Sequence, residues 1–290
     1  MATRRGRREG RRDWAQVSSL VSALAAVGAL VFTALSLQAT RDQIEITERG
    51  QVTDRYSKAV EQLAHARFEV RLGAVHALEQ IARDSEVHRV PVVSVLTSFI
   101  RGERHITSGG EPACEVEEFY DVGSARHDIH AALTAVARLD GGGAVDLSLS
   151  CLDSALLSGA RLRCANLDGT SLRQASLIGA DLRGASLSSA RLDAAESGGP
   201  GGVGAVLRGA SLAGARLAGA SLRNAVLERV DFAGADLTDA VLAGADLDGA
   251  NLAGAYVRGA DFTGATVDLD AALRAGAIDD YPPAPQGCGP

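Results

Sequence analysis

The residues whose types could carry out chemistry are few, and most lie in the first half of the chain. All six histidines precede residue 131. His127 and His130 are three residues apart, a spacing that places both on one face of a helix. Together with Cys114 they could bind zinc, but no fourth ligand has a suitable spacing. Polar residues in the first turn of a helix explain the two histidines equally well, so the sequence predicts no metal and no cofactor.

Sequence motifs of known catalytic mechanisms are also missing from the chain. It has no phosphate-binding P-loop, no Gly-x-Ser-x-Gly turn and no His-Glu-x-x-His motif. The four cysteines, Cys114, Cys151, Cys164 and Cys288, have no Cys-x-x-Cys spacing, and whether they pair depends on the compartment. We therefore expect a protein that is not an enzyme and has no catalytic residues.

A pattern of five residues defines the scaffold on which any binding site must lie. From Leu147 to Val267 there are 25 positions spaced by five; leucine fills 19, phenylalanine or valine fills four, and Ser197 and Gly202 break the pattern. A period of five fits neither a helix face nor a flat strand. It fits a chain that turns a corner in every five residues. Four such sides form a square coil of about twenty residues, and coils stack about 4.8 Å apart.

The repeats resemble the Ala-(Asp/Asn)-Leu-x-x signature of pentapeptide-repeat proteins, as in GADLDGANLAGA from Gly244 to Ala255. The resemblance implies a mainly β fold, a right-handed quadrilateral β-helix over residues 144–270, and a possible homodimer. Alanines and leucines would line its interior, with glycines at many corners. The expected core includes Leu177, Leu182, Leu187, Leu212, Leu217, Phe232, Leu247 and Phe262.

The break in the pattern is rich in glycine and reads as a loop over residues 195–204. Since the five-residue phase resumes at Leu207, we expect the loop to replace two sides of a coil without shifting the register. The loop is either a surface for a partner or a tolerated insertion.

Charged residues on the outside of the coils form the candidate interaction surface. If residues twenty apart are stacked, arginines form one column and Arg208, Glu228, Asp248 and Asp268 form another. Between Val230 and Asp270 there are eight aspartates and one arginine. The residues of this predicted surface are Arg163, Arg183, Arg223, Asp236, Asp246 and Asp261.

The N-terminal region is predicted to contain a membrane anchor. Residues 1–14 form a basic tail with six arginines, and residues 15–40 carry no charge, which is typical of a transmembrane helix. The arginine excess before this segment places the N-terminus in the cytoplasm, the single span in the cell membrane and the repeat domain outside. A cleaved signal peptide is the alternative. The lipid bilayer is thus an expected partner.

The region between this segment and the repeats is predicted to be helical. Apolar spacing of three and four residues indicates an α-helical linker module over 41–102, with one helix beginning at Pro91 and ending at Gly102. Residues 103–123 read as a loop, 124–139 as a helix capped by Ser124 that covers the first coil, and 271–290 as a short helix and a disordered tail. The stretch from Asp54 to Ser85 also resembles a module of membrane-anchored, actinobacterial pentapeptide-repeat proteins.

Two functions are consistent with this organisation. The first is a membrane-anchored, non-enzymatic scaffold whose repeat rod binds an unknown protein partner. The alternative is a DNA-mimic modulator of a topoisomerase, of the gyrase-protecting type that the resemblance suggests. A net charge of −7 gives no support for direct nucleic-acid binding. Arginine-rich, lysine-poor usage, with 28 arginines and one lysine, is typical of a high-GC bacterial source.

Overall fold

The computed structural model describes residues 6–104, 127–139, 145–194 and 202–282. The chain divides into two units, Met1–Arg55 and Tyr56–Pro290. The described helices are α1 (Gly6–Leu63), α2 (Phe68–Asp84), α3 (Glu86–Arg104), α4 (His127–Arg138) and α5 (Leu269–Arg274). The predicted Ser124 cap, Cys114, Cys288 and most of the predicted loop at 103–123 lie outside the described residues.

Helix α1 does not end where the predicted membrane segment ends. It continues from residues 15–40 to Leu63, so the predicted boundary at residue 41 falls inside one helix. Large apolar side chains such as Leu30 and Phe32 are 71% and 74% exposed. The transmembrane helix is not supported, because the described part of the chain contains no helix that is both long enough and apolar enough to cross a bilayer. The predicted location and orientation stay predictions.

Helices α2, α3 and α4 pack on one another in the second unit. Their apolar faces bury Leu78, Leu96 and Val136 completely, as the helical spacing predicts. The Nε atom of Arg71 on α2 donates to Oδ2 of the fully buried Asp128 on α4 at 2.6 Å. The start predicted for α3 is wrong, since the helix begins at Glu86 and Pro91 lies inside it. Only the first-turn carbonyl of Val87 loses a backbone partner there.

The repeats form four-sided coils stacked in parallel. One residue on each side forms a bridge to the coil above and to the coil below, as in Asp146 with Asn166 and Val206 with Val226. All the leucines predicted for the core and Phe232 are fully buried, and Phe262 is 7% exposed. The expected stacking of residues twenty apart is therefore present on both sides of the loop.

The pentad Ala235–Asp239 shows how the backbone N–H groups of a side are hydrogen-bonded. The N–H groups of Leu237 and Asp239 donate to the next coil at 2.8 and 2.9 Å, that of Asp236 to the previous coil at 2.9 Å, and that of Ala235 to the preceding corner at 2.8 Å. The N–H of Thr238 donates to no backbone carbonyl in this ladder. The corner residue Asp239 has φ +56°, in the left-handed region. Most corner residues are glycines, which adopt such angles at little cost.

The loop does not replace two sides of a coil, so the predicted register is wrong. Ser176 bridges to Val206 and Arg191 to Ser221, a separation of thirty residues instead of twenty. The N–H of Ala205 donates to the carbonyl of Leu192 at 2.7 Å, the bond that closes ordinary corners elsewhere. Ten residues are thus inserted at one corner, and the coil continues as if they were absent. Residues 195–201 themselves lie outside the described residues.

Both ends of the β-helix are paired with segments that lie outside the regular coils. At the N-terminal end the carbonyl of Ala137 on α4 accepts from Arg161 N at 2.7 Å, where another coil would otherwise supply the acceptor. Arg101 on α3 donates to Asp146 at 2.5 Å. At the C-terminal end the side chain of Asp268 caps α5 by accepting from Ala271 N at 2.6 Å. After α5, the carbonyls of Gly276 and Ile278 accept from Gly254 N at 2.7 Å and from Val257 N at 3.0 Å. The backbone bonds of Ala137, Gly276 and Ile278 protect coil edges that would otherwise expose unpaired backbone groups.

Candidate functional site: the four walls of the repeat domain

The outward side chains of the coils form four walls. We number them by the first core residue of each: wall 1 begins with Leu147, wall 2 with Leu152, wall 3 with Leu157 and wall 4 with Leu162. In each pentad the residues directly before and directly after the core residue point outward, because side chains alternate along each side. The chemistry of a wall therefore depends on these two columns and on the register that stacks them.

The three aspartates predicted for the interaction surface lie on three different walls. Asp236 is on wall 1, Asp261 on wall 2 and Asp246 on wall 3. Each occupies the position before a core residue, and its Oδ1 atom accepts from the N–H two residues later, at 3.0, 2.9 and 3.2 Å respectively. These are the N–H groups that make no hydrogen bond to a backbone carbonyl. The three carboxylates are thus structural caps and do not form one acidic patch.

The same cap is present wherever aspartate or asparagine precedes a core residue. Eight such residues are described, and each accepts from the N–H two positions later. This role was missed from the sequence, although the Ala-(Asp/Asn)-Leu-x-x signature contains it. A side-chain oxygen at this position imitates a backbone acceptor, as in an Asx turn.

Where serine takes this position, an aspartate from the previous coil can replace the cap. Oδ1 of Asp153 accepts from Ser171 Oγ at 2.5 Å and from Arg173 N at 3.0 Å. Burial is the largest effect on the pKa of Asp153 and raises it; the Ser171 and Arg173 hydrogen bonds and the Arg173 charge each lower it less, and the Asp193 charge adds to the rise. Asp168 makes the equivalent bonds to the next coil, at 2.5 and 2.9 Å.

The arginines of the predicted surface are also separated. Arg163 and Arg183 are stacked on wall 4, but the inserted loop places Arg223 on wall 2, in the column of Asp193. Arg183 donates to both carboxylate oxygens of Asp181 at 2.7 and 2.6 Å. This hydrogen bonding is the largest cause of the lowered pKa of Asp181. The three arginines therefore do not form one column on the described walls.

Wall 2 carries a column of alternating charge. Asp153, Arg173, Asp193 and Arg223 follow one another along it. The Nε atom of Arg173 lies 3.5 Å from Oδ1 of Asp193, and their side chains are only 11% and 21% exposed. Alternation of sign along a stack lowers the electrostatic energy of neighbouring coils. The wall is balanced internally and offers little net charge to a partner.

The histidines considered for metal binding do not form a site in the structure. His127 and His130 are both exposed on α4, and the His127 ring lies against Phe68 with centroids 6.3 Å apart. Among the described residues no group of three or more potential ligands is placed to hold a metal ion.

Two of the cysteines belong to the first coil, and both are disulfide-bonded. Cys151 is on wall 2, and Cys164 is at the corner that follows wall 4. The sequence left open whether these residues pair. Both cysteines lie in the coil that meets helix α4.

Comparisons with known proteins agree with this architecture. Residues 150–193, 203–239 and 225–264 match the family described as pentapeptide repeats, in eight copies. No curated protein sequence matches the chain.

Solved structures of pentapeptide-repeat proteins are similar to part of the chain. A protein of the Arabidopsis thaliana thylakoid lumen is 26% identical with a TM-score of 0.21, over 41% of this chain and 65% of that protein. HetL from the cyanobacterium Nostoc sp. strain PCC 7120 is 26% identical with a TM-score of 0.19, over 47% of this chain and 77% of its own. QnrB1, a plasmid-mediated fluoroquinolone resistance protein, is 19% identical with a TM-score of 0.25, over 45% and 80%.

TM-scores at this level carry no argument about function. The assignment of the repeat region follows instead from the repeat match and from the stacked five-residue sides, each with a buried core residue. Residues 150–193 and 203–264 of this chain are pentapeptide repeats.

Proposed function

We propose that the chain is a non-enzymatic scaffold whose pentapeptide-repeat domain binds a protein partner through one of its walls. The observation that carries the proposal is the division of roles within each pentad. Core positions and corners are used for folding, whereas the outward columns carry different side chains from wall to wall. Surfaces of this kind are what extended repeat proteins use for binding.

The absence of a described catalytic arrangement is consistent with a binding role. Most outward carboxylates are occupied as backbone caps or in ion pairs. Catalysis by paired acids would need carboxylates that converge on one cavity with different pKa values. The walls instead hold them in columns along the coils.

Site-specific photo-crosslinking tests the proposal. A photoreactive residue is placed at one outward position on each wall of the full chain in its native host: Ser188, Val241, Ile178 and Ala253. We expect crosslinks to one protein from one wall and few from the other three. Equal labelling of many proteins from all four walls, or none from any wall, would contradict a scaffold role.

The alternative of a DNA-mimic topoisomerase modulator has weaker support. Mimicry of a duplex needs an extended surface of uncompensated negative charge. Asp236, Asp246 and Asp261 lie on different walls and act as caps. A DNA gyrase supercoiling assay with excess full chain tests it directly, and inhibition or protection that is lost in Asp248→Lys would favour mimicry over the scaffold.

A further inference from the structure

Wall 3 differs from the other walls in its first four coils, where aliphatic side chains point outward. Leu156 in the first coil is 63% exposed and Ile178 in the second is 44% exposed. Val206 and Val226 continue along the wall in the third and fourth coils and are partly exposed. Val203, where the chain returns from the loop, is 54% exposed. Outward positions in this fold contact water and need no aliphatic side chains, so this apolar strip is not required for folding.

The last coils of the same wall are acidic. Asp246 and Asp248 are in the fifth coil and Asp268 in the sixth. Among the described residues none of these three carboxylates has an ion-pair partner, whereas Glu228 just before them is paired with Arg208 at 2.7 Å. The ion pair therefore neutralises the charges of the third and fourth coils beside Val206 and Val226, and uncompensated negative charge begins in the fifth coil.

The other walls do not combine these two properties in the described residues. Wall 2 alternates Asp153, Arg173, Asp193 and Arg223. Wall 4 pairs Arg183 with Asp181 in its first half and presents small side chains such as Ala213, Ala233 and Ala253 in its second. An apolar strip that continues into unpaired carboxylates favours a ligand that is itself divided into an aliphatic part and a basic part.

We propose that wall 3 is the docking surface, and that it binds a segment of a partner protein with aliphatic side chains at one end and lysine or arginine at the other. The aliphatic side chains would cover Leu156, Ile178, Val206 and Val226, and the cations would face Asp246 and Asp248. This inference rests on the proposed scaffold function. From the first to the sixth coil the wall spans about 24 Å, the length of about eight residues of extended chain.

A synthetic peptide tests the chemistry without a known partner. The probe is a fluorescently labelled peptide of about eight residues, with leucine and valine in one half and lysine in the other. The control peptide has glutamate in place of lysine. Fluorescence anisotropy with the full chain should show saturable binding of the lysine peptide, weakening as salt rises, and no binding of the glutamate peptide. Equal binding of both peptides, or of neither, overturns the proposal.

Matched variants locate the binding on wall 3. Asp248→Ala removes one exposed carboxylate that caps no backbone group, and Ile178→Ser removes one exposed apolar side chain. Each should weaken binding of the lysine peptide by about threefold to fivefold. Ala253→Lys makes the same change in net charge as Asp248→Ala, in the same coil and the same position of its pentad, but on wall 4. It should leave binding unchanged, and an equal loss in this control overturns the assignment to wall 3.

The outcomes separate this inference from the proposed function. If crosslinks to one partner arise from another wall and the lysine peptide does not bind, the scaffold stands and the assignment of wall 3 fails. If no wall gives a specific crosslink, the scaffold itself fails. If Ile178→Ser and Asp248→Ala instead change the sedimentation of the protein alone, wall 3 contacts a second copy and the proposed partner segment is wrong.

Discussion

The residue before each core leucine faces water and can also accept a hydrogen bond from the backbone. In the repeat backbone, four of the five N–H groups of a pentad are bonded to other carbonyls, and the fifth depends on a side chain. Aspartate or asparagine supplies the acceptor from two residues away. The preference for these residue types is thus explained by an otherwise unsatisfied donor, which costs free energy when water cannot reach it.

Replacing the cap at Asp236 tests this explanation. Asp236→Ala leaves the N–H of Thr238 without its acceptor, and Thr238 is only 8% exposed. We expect the free energy of unfolding to fall by about 1 kcal/mol, measured by urea denaturation of the full chain. Asp236→Asn keeps the acceptor and should lose less. Asp248→Ala, in which no cap is removed, serves as the control and should be close to neutral; a similar loss there would contradict the role of the cap.

The partly buried carboxyl of Asp153 should make stability depend on pH in the opposite sense from an ordinary surface acid. Its pKa is raised above the ordinary value of 3.8, chiefly by burial. The folded protein therefore binds the proton more tightly than the unfolded chain. The resulting stabilisation is present at low pH and is lost as pH rises from 3.8 through the raised pKa.

Asp153→Asn isolates this effect, since asparagine keeps an acceptor for Ser171 Oγ and Arg173 N without the charge. The stability of Asp153→Asn relative to the natural protein should increase as pH rises above 3.8 and then become constant. Parallel urea titrations of the two proteins from acid to neutral pH measure the difference, in which all other titrating groups cancel. A difference that is independent of pH would contradict the raised pKa.

At the scale of elements, most of the β-helix could be predicted from the sequence. The period of five is the length of one side, so core, corner and outward positions such as Leu237, Asp239 and Asp236 follow from it directly. The register across the loop could not be predicted, because an insertion of ten residues preserves a period of five. The start of α3 was misplaced for a different reason: proline was read as a helix start, whereas the structure tolerates Pro91 one turn inside.

Deleting residues 194–203 tests the register that the structure shows. The deletion joins Asp193 to Gly204 and creates a regular pentad with glycine at the corner. We expect the shortened chain to keep its circular dichroism spectrum and to unfold at the same or a higher temperature, because a long closed loop costs conformational entropy. Deletion of residues 215–224, which removes two regular sides, is the matched control and should cause a large loss of stability. Unfolding of the first variant would show that the loop residues belong to the coil.

At the scale of the whole molecule, the candidate site depends on which coil stacks on which, and the five-residue pattern does not contain this register. The predicted surface combined Arg163, Arg183 and Arg223 by counting twenty residues, and the inserted loop separates the last of these from the others. The apolar strip on wall 3 could be seen only after the stacking was known, because Leu156, Ile178 and Val206 are not evenly spaced in sequence. Core positions repeat, whereas a binding wall is defined by the register between coils.

The disulfide-bonded cysteines of the repeat domain make its redox environment testable. Disulfides persist in oxidising compartments and are rare in the cytosol, and Cys151 and Cys164 are both disulfide-bonded. We therefore expect both thiols to be protected from alkylation in native cells until a reductant is added, as measured by mass spectrometry of peptides from the rapidly trapped protein.

The stability of the repeat domain should depend on the disulfides of Cys151 and Cys164. Reduction should lower the free energy of unfolding by about 2–4 kcal/mol, and the double variant Cys151→Ser/Cys164→Ser should be less sensitive to reductant. Alkylation of both cysteines in untreated cells would place the domain in a reducing compartment and contradict the orientation predicted from the arginines. Protection would support that orientation without reference to helix α1, and it would restrict the partner of wall 3 to proteins of the same oxidising compartment.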